Sequence, residues 1–359
     1  MRTLLVCPEL FRAEGGIARI MRLYLKALCA SAAPGDAIDC LVLNDGPEPD
    51  PRLGCYAGPA LATFTGCGGS RLRFAAQVIQ LGRRADRAIC GHLHLLPLVW
   101  LARGLGSDFE YSLVAHGIEV WRPYSLAERR ALLGATHIFC VSDYTRRQML
   151  RFCGDLEIAR LVVLPNTLDP FLEPAPGMTR TSRPSGQPRL LAVSRLANSD
   201  AYKGIDTLIE ALPLVRRYHP AAHLAIAGGG DDLPRLRALA AIQGVGDAVD
   251  FLGVLDDAAL RAEYAACDVF ALPSRREGFG LVFLEAMANG KACLGARAGG
   301  IPEVIDDRVG ALAEYGNIPD IAAAVIDLVR HPRDPEAIRR HAGSFAFPTF
   351  QRQLAAALA

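Results

Sequence analysis

Short unbroken apolar runs alternate with amphipathic stretches along this chain. The runs fall at residues 3–6, 38–43, 88–94, 111–115, 136–141 and 159–164, with a weaker one at 61–65. Each is strand-length and has no polar alternate face, which is the pattern of a parallel strand covered on both sides. Between them, apolar residues at spacings of three and four predict helices over 18–29, 71–87, 97–105, 126–133 and 143–152. The expected buried stripe of the 71–87 helix is Leu72, Ala75, Ala76, Ile79 and Leu81.

The pattern then breaks and restarts. Residues 170–188 hold five prolines and two glycines in a polar stretch, the composition of a linker. Strands follow at 189–193, 223–227, 249–252, 268–272, 292–296 and 310–313. Helices are expected over 204–217, 232–242, 256–266, 280–288 and 318–330, with a short one beginning at 299–303. The tail, 335–359, reads as helical, with Phe345, Phe347 and Phe350 as anchors. Two βα series separated by a linker predict an α/β protein of two doubly wound, Rossmann-like domains facing each other across a cleft. The boundaries are 1–172 for the first domain, 173–188 for the linker and 189–341 for the second.

Composition narrows the function. At 359 residues the chain can build two full cores. A formal net charge of +1 exerts no bulk pull on nucleic acid, so no nucleic-acid partner is expected. None of the ten cysteines forms a Cys-x-x-Cys pair, and most sit in apolar contexts, as reduced core residues of a cytosolic protein do. The first residues read as a strand and not as a signal peptide. No window approaches the ~18 apolar residues needed to span a bilayer. A cytoplasmic protein is therefore expected. Of 39 basic residues only Lys26, Lys203 and Lys291 are lysines, so a lysine in a loop stands out.

Candidate chemistry concentrates at residues 273–285, a strand end, a glycine-containing loop and a helix start. Glu277 and Glu285 fit a capped helix entry, or a carboxylate pair beside a ligand. Gly278 and Gly280 let backbone N–H groups come close to an anionic or oxygen-rich group at the helix N-terminus. Arg195 and Lys203 flank another strand-end loop. They fit two solvated charges, or a fork and a point charge on a diphosphate. Gly15-Gly16 after the first strand fits a helix cap or an anion site. His116-Gly117 ends a strand, where such sheets bind ligands. His92 and His94 would share a strand face, but no acidic or cysteine ligand lies near them, and no metal is expected. The arginines of helix 71–87 fit a solvated face or a surface that meets anionic lipid. No Gly-x-Gly-x-x-Gly opens either half, which disfavours a dehydrogenase.

These pieces occur in one order: Gly15-Gly16; His116-Gly117; Val141-Ser142; Pro165-Asn166; Ser194-Arg195-Leu196 with Lys203-Gly204; Gly228-Gly229-Gly230-Asp231; Glu277-Gly278-Phe279-Gly280-Leu281 with Glu285-Ala286; and Gly299-Gly300-Ile301-Pro302-Glu303. The set resembles the retaining glycosyltransferases of family 4, the group 1 glycosyl transferases of GT-B fold, over almost the whole chain. Thr167 stands where many relatives have glycine, and residues 198–202 lengthen the loop before Lys203. The resemblance implies a first domain that binds the acceptor and a second that binds a nucleotide sugar, UDP- or GDP-linked. It implies a tail helix, about 342–359, that returns to the first domain. Arg195 and Lys203 would hold the diphosphate, and Glu285 the ribose hydroxyls. Glu277 and the backbone of Gly278, Phe279, Gly280 and Leu281 would meet the donor sugar. His116 would reach the sugar, and Gly16 a phosphate. The implied activity is metal-independent, cofactor-free transfer of a hexose, with retention, to a glycan or lipid-linked saccharide. It would serve bacterial surface-polysaccharide or glycolipid synthesis, with peripheral contact at the inner face of the plasma membrane. A nucleotide-sugar epimerase of the same fold and a non-catalytic nucleotide-sugar binder are the alternatives.

Overall fold

A computed structural model describes residues 1–13, 15–106, 108–171 and 187–359. Contacts divide the chain into two units, Met1–Asp169 with Phe347–Ala359, and Pro170–Ala346. Residues 173–186 of the expected linker lie outside the described residues.

The first unit is a seven-stranded sheet: β1 (Arg2–Cys7), β2 (Ala37–Val42), β3 (Leu61–Gly66), β4 (Arg87–Cys90), β5 (Glu110–Ala115), β6 (His137–Cys140) and β7 (Leu161–Val163). The order is β3-β2-β1-β4-β5-β6-β7, and every pairing is parallel. Leu4, Leu5 and Val6 of β1 are all fully buried although consecutive side chains face opposite ways. Helices therefore cover both faces, and this is why the strands read as unbroken apolar runs. The strand order reverses between β1 and β4, so the loops leaving these strands diverge and open a crevice at their carboxyl ends.

The second unit repeats the plan with β8 (Arg189–Val193), β9 (His223–Ala227), β10 (Val249–Gly253), β11 (Val269–Leu272), β12 (Ala292–Ala296) and β13 (Gly310–Ala313). The order is β10-β9-β8-β11-β12-β13, again all parallel. Its reversal lies between β8 and β11, the strands that lead into the loops of Arg195 and Glu277.

Three local expectations need correction. The arginine-rich helix spans Arg71–Gly82 and stops short of residue 87. Arg87 opens β4, where its Nε donates to Thr3 Oγ1 at 3.0 Å and a terminal nitrogen donates to the Leu358 carbonyl at 2.8 Å. The buried positions on that helix are Phe74, Val78, Leu81 and Gly82, while Leu72 is 88% exposed. Phe74, Val78 and Leu81 stand at i, i+4 and i+7, so the aromatic sets the phase of the stripe. Second, β4 ends at Cys90. His92 Nδ1 accepts the His94 N–H at 3.2 Å and starts a turn into the helix Leu96–Gly104, so the two histidines do not alternate on a strand.

Third, the tail is two helices, Pro335–Gly343 and Phe347–Leu358. Phe345 stays with the second unit, edge-on to Phe279 at 5.5 Å. Phe347 and Phe350 are buried in the first, and Phe350 meets the Tyr24 ring edge-on at 5.1 Å. All ten cysteines are free, and eight are buried. No helix among the described residues is long and apolar enough to cross a membrane.

Candidate functional site

Four loops meet at the carboxyl edge of the second sheet, and backbone contacts lock them together. The loop after β8 runs through Arg195 into a short helix, Asn198–Lys203. The loop after β11 runs from Pro273 to Gly280. The Arg275 N–H donates to the Tyr202 carbonyl at 2.8 Å. A Cβ on Gly204, whose φ is +75°, would lie 2.5 Å from the Pro273 oxygen, so only glycine allows this approach. On the far side the Gly300 N–H donates to the Glu277 carbonyl at 2.8 Å, and a Cβ on Gly299 would strike that oxygen at 2.5 Å. The Gly228-Gly229-Gly230 turn grips the first loop, with the Leu196 N–H donating to the Gly229 carbonyl at 2.9 Å.

Charges sit on this frame. Lys203 Nζ donates to both Glu277 oxygens, at 2.7 and 2.6 Å, and the two side chains are only 18% and 13% exposed. Arg195 stands 3.0 Å from Asp200, with its own side chain 73% exposed and that of Asp200 6%. Asp200 belongs to the lengthened part of the loop, so the extra residues supply the partner that holds Arg195. The Tyr202 hydroxyl donates to Asp200 at 3.1 Å. The Tyr202 ring also lies 5.6 Å from the Lys203 ammonium and 5.9 Å from the Arg276 guanidinium.

Glu285 lies in the second turn of the helix Leu281–Ala288 and is buried. One of its oxygens accepts the Tyr264 hydroxyl at 2.7 Å. Tyr264 is on the helix Asp257–Ala266, whose terminal carbonyls, Ala265 and Cys267, are bonded by Lys291 Nζ at 2.7 and 2.8 Å. The Phe279 side chain is buried in the unit's core, and Gly278 and Leu281 are half-buried beside it. Gly280 is the N-cap of the helix, with φ +94°. Sequence reasoning named Arg195, Lys203, Glu277 and Glu285 but missed Asp200, Tyr202, Tyr264 and Lys291. The available signal was Tyr264: a buried tyrosine hydroxyl needs a partner.

Gly16 and His116 belong to the first unit. Gly16 is exposed and opens the helix Gly16–Ser31, which has no side-chain cap. The loop before it is held by buried Asp45, which accepts the N–H groups of Leu10 at 3.1 Å and Phe11 at 2.9 Å. His116 follows β5, and its Nε2 lies 2.9 Å from the Gly91 carbonyl. A carbonyl only accepts, so Nε2 carries the proton. Burial pushes this imidazole down to about 4, against a weaker upward pull from that bond. The ring is thus neutral at pH 7, and Nδ1 is a free-electron-pair acceptor aimed away from Gly91. The His116 N–H donates to Glu119 Oε1 at 2.5 Å. Burial raises the Glu119 carboxyl above its usual range, opposed by nearby His92 and by backbone N–H groups that include those of His116 and Gly117. Burial also lowers His92 to about 4. Among the described residues no three His, Cys, Asp or Glu side chains gather as metal ligands would.

Two outcomes follow from this geometry. Tyr264→Phe removes a donor from a buried carboxylate and should cost about 1–3 kcal/mol in denaturant unfolding. An unchanged midpoint would show the bond to be idle. Because His116 and His92 bind protons less readily folded than unfolded, their contribution is complete above pH ~6.5 and is lost as pH falls toward about 4. The raised Glu119 acts in the opposite sense. Thermal midpoints should therefore fall less steeply between pH 6.5 and 4.5 in His116→Asn than in wild type, and parallel curves would refute the assignment.

Residues 178–344 match the model of the family described as glycosyl transferases group 1. A GDP-mannose-dependent alpha-(1-6)-phosphatidylinositol monomannoside mannosyltransferase of Mycobacterium tuberculosis is 36% identical over 60% of this chain and 59% of its own length. The Mycolicibacterium smegmatis protein of the same name is 35% identical over 62% of each chain. The alignments thus span about three fifths of these relatives' length. An alpha-maltose-1-phosphate synthase of Mycobacterium tuberculosis is 27% identical over 94% of this chain and 90% of its own. Among solved structures, Anabaena HepE with UDP and glucose superposes with a TM-score of 0.79 at 20% identity, covering 99% of both chains. Sucrose-phosphate synthase of Thermosynechococcus elongatus gives 0.76 at 20% identity, covering 99% of this chain and 97% of that one. The fold is GT-B, and the stretch of this chain that matches the group 1 glycosyl transferases lies in its second unit.

Proposed function

We propose that this protein transfers a hexose from a UDP- or GDP-sugar to a saccharide acceptor, with retention of anomeric configuration and without a metal ion. The observation that carries the reading is the set of Arg195, Lys203 and Glu277 at the strand-order reversal of the second sheet. An exposed guanidinium and a lysine at such a point suit a diphosphate. Glu285, fixed by Tyr264, is offered to the ribose hydroxyls. Glu277 and the backbone of residues 278–281 are offered to the sugar. Gly16 and His116 are assigned to a donor phosphate and the sugar by motif order. With its one ring proton on Gly91, His116 acts through Nδ1 as an acceptor from a hydroxyl.

As the glycosidic bond to the nucleotide breaks, negative charge grows on the leaving diphosphate. In this reading Arg195 and Lys203 stabilise it, supplying charge that a divalent ion supplies elsewhere. In this reading the acceptor attacks from the same face, and the departing diphosphate helps to take its proton. Glu277 need not act as a nucleophile in this reading, because the acceptor itself attacks while the cations stabilise the leaving group.

The mannosyltransferase relatives carry phosphatidylinositol mannoside in their names, which supports a lipid-linked acceptor and glycolipid synthesis here. Peripheral contact at the inner face of the plasma membrane fits Leu72, exposed between exposed Arg71 and Arg73 on the first unit.

A panel of UDP- and GDP-sugars tests the reaction. One of them should turn over, and Lys203→Ala should lower kcat/KM by about 10- to 100-fold, the loss of one charge-assisted contact. Absence of binding and turnover across the panel would sink the proposal. For the membrane contact, sedimentation with phosphatidylglycerol vesicles should exceed that with phosphatidylcholine, and a Leu72→Asp variant should lose the difference. Equal sedimentation with both lipids would dismiss it.

A further inference from the structure

Lys203 is already committed before any ligand arrives. Its ammonium donates to both oxygens of Glu277, in a setting where each side chain is more than four-fifths shielded. Pulling it away leaves a largely desolvated carboxylate without its counter-charge, a costly state unless new donors replace the lysine. The frame holds the Glu277 backbone in place. Its carbonyl is bonded by the Gly300 N–H and covered by Gly299, and the neighbouring Arg275 and Arg276 guanidiniums lie over the rings of Tyr315 and Tyr202, at 5.2 and 5.9 Å.

Arg195 is in the opposite situation. Its partner is Asp200, and 73% of its side chain is in solvent. Asp200 is itself buried, but it keeps the Tyr202 hydroxyl when Arg195 turns away, so moving this exposed cation toward a phosphate costs less than freeing Lys203. The two cations assigned to one diphosphate therefore differ in what it takes to recruit them.

We propose that the Lys203–Glu277 pair is an exchange latch that makes the site favour a nucleotide sugar over the free nucleoside diphosphate. The inference rests on the reading that Lys203 meets the diphosphate and Glu277 the sugar. A nucleoside diphosphate offers phosphate oxygens to Lys203 but brings only negative charge toward Glu277, so the carboxylate is stranded. A nucleotide sugar offers the same phosphate oxygens together with hydroxyl donors for Glu277, and both members of the pair are satisfied again. Recruitment of Lys203 is thereby coupled to the presence of the hexose. After transfer the sugar is gone, Glu277 reclaims the lysine, and the product diphosphate is left with Arg195 and the loop backbone. Glu277 is in this sense a specificity-determining residue, which sets how strongly the product competes with the donor.

Isothermal titration of UDP, GDP, UDP-glucose and GDP-mannose against wild type, Glu277→Gln, Glu277→Asp and Lys203→Ala tests this. Glutamine keeps the shape and removes the charge that holds the lysine. For the nucleotide that wild type binds, Glu277→Gln should bind the bare diphosphate about 5- to 10-fold more tightly, a gain of about 1–1.4 kcal/mol. It should bind the nucleotide sugar no more tightly. Glu277→Asp, with a shorter carboxylate, should fall between, and keeps the test open if the glutamine variant does not fold. In steady-state assays with the panel's active donor, product inhibition by the diphosphate should strengthen in step. Weaker or unchanged diphosphate binding in both Glu277 variants, with Lys203→Ala still weakening nucleotide-sugar binding, overturns the latch and leaves the phosphate assignment standing. Nucleotide-sugar binding unaffected by Lys203→Ala, or absent in wild type, overturns the underlying reading itself.

Discussion

The carboxyl edge of the second sheet depends on one constraint, the close approach of loop backbones where a side chain would not fit. Gly204 lies against Pro273, and Gly299 against Glu277. These contacts set where the two loops run, and only then do Lys203 and Glu277 fall within hydrogen-bond reach. The order of cause matters. An exposed lysine–glutamate pair contributes little to stability and would not position a loop. Here the backbone positions the loops, and the shielding it creates is what makes the pair strong. The same glycines that look like ligand cradles in a motif therefore act first as packing elements.

The first unit solves a related problem with side chains. Its loop after β5 turns through Gly117, and the Glu119 carboxylate ties the turn by accepting the His116 N–H. The imidazole is thereby held against Gly91 with a defined tautomer. A histidine kept neutral by burial can accept a hydrogen bond throughout the physiological range without adding positive charge.

Much of this was legible from the chain itself, for a physical reason. Strands buried on both faces have no polar positions, so their runs and spacing are visible, and the glycine turns between them mark the strand ends. The misreadings were local competitions. Residues 83–87 continue a helical pattern, but Arg87 is held in β4 by Thr3 and by the far end of the chain. The arginines around Leu72 hid the true phase set by Phe74 and Val78. Glu119, Asp200 and Tyr264 escaped notice because their roles lie in partners. Tyr264 acts on a residue 21 positions away, on another helix, and no local pattern encodes that distance. The loop insertion raised a question about Arg195 that only its folded form answers, through Asp200.

The scarcity of lysine turns out to carry structural information. In a chain with 39 basic residues, each of the three lysines donates to defined acceptors. Lys203 bonds two carboxylate oxygens, Lys291 two carbonyls at a helix end, and Lys26 the Cys55 carbonyl at 3.0 Å. A guanidinium is a planar fork, wide and fixed in direction, suited to partners laid side by side at a surface. An ammonium is compact and presents three donors around one point. Lys291 illustrates the difference, since its carbonyls belong to residues 265 and 267 of a chain turning at a helix end, and the site is buried. Lys203 brings its ammonium to two oxygens of one carboxylate in a shielded setting. At Lys203 and Lys291 the scarce residue stands where two acceptors converge on one shielded point.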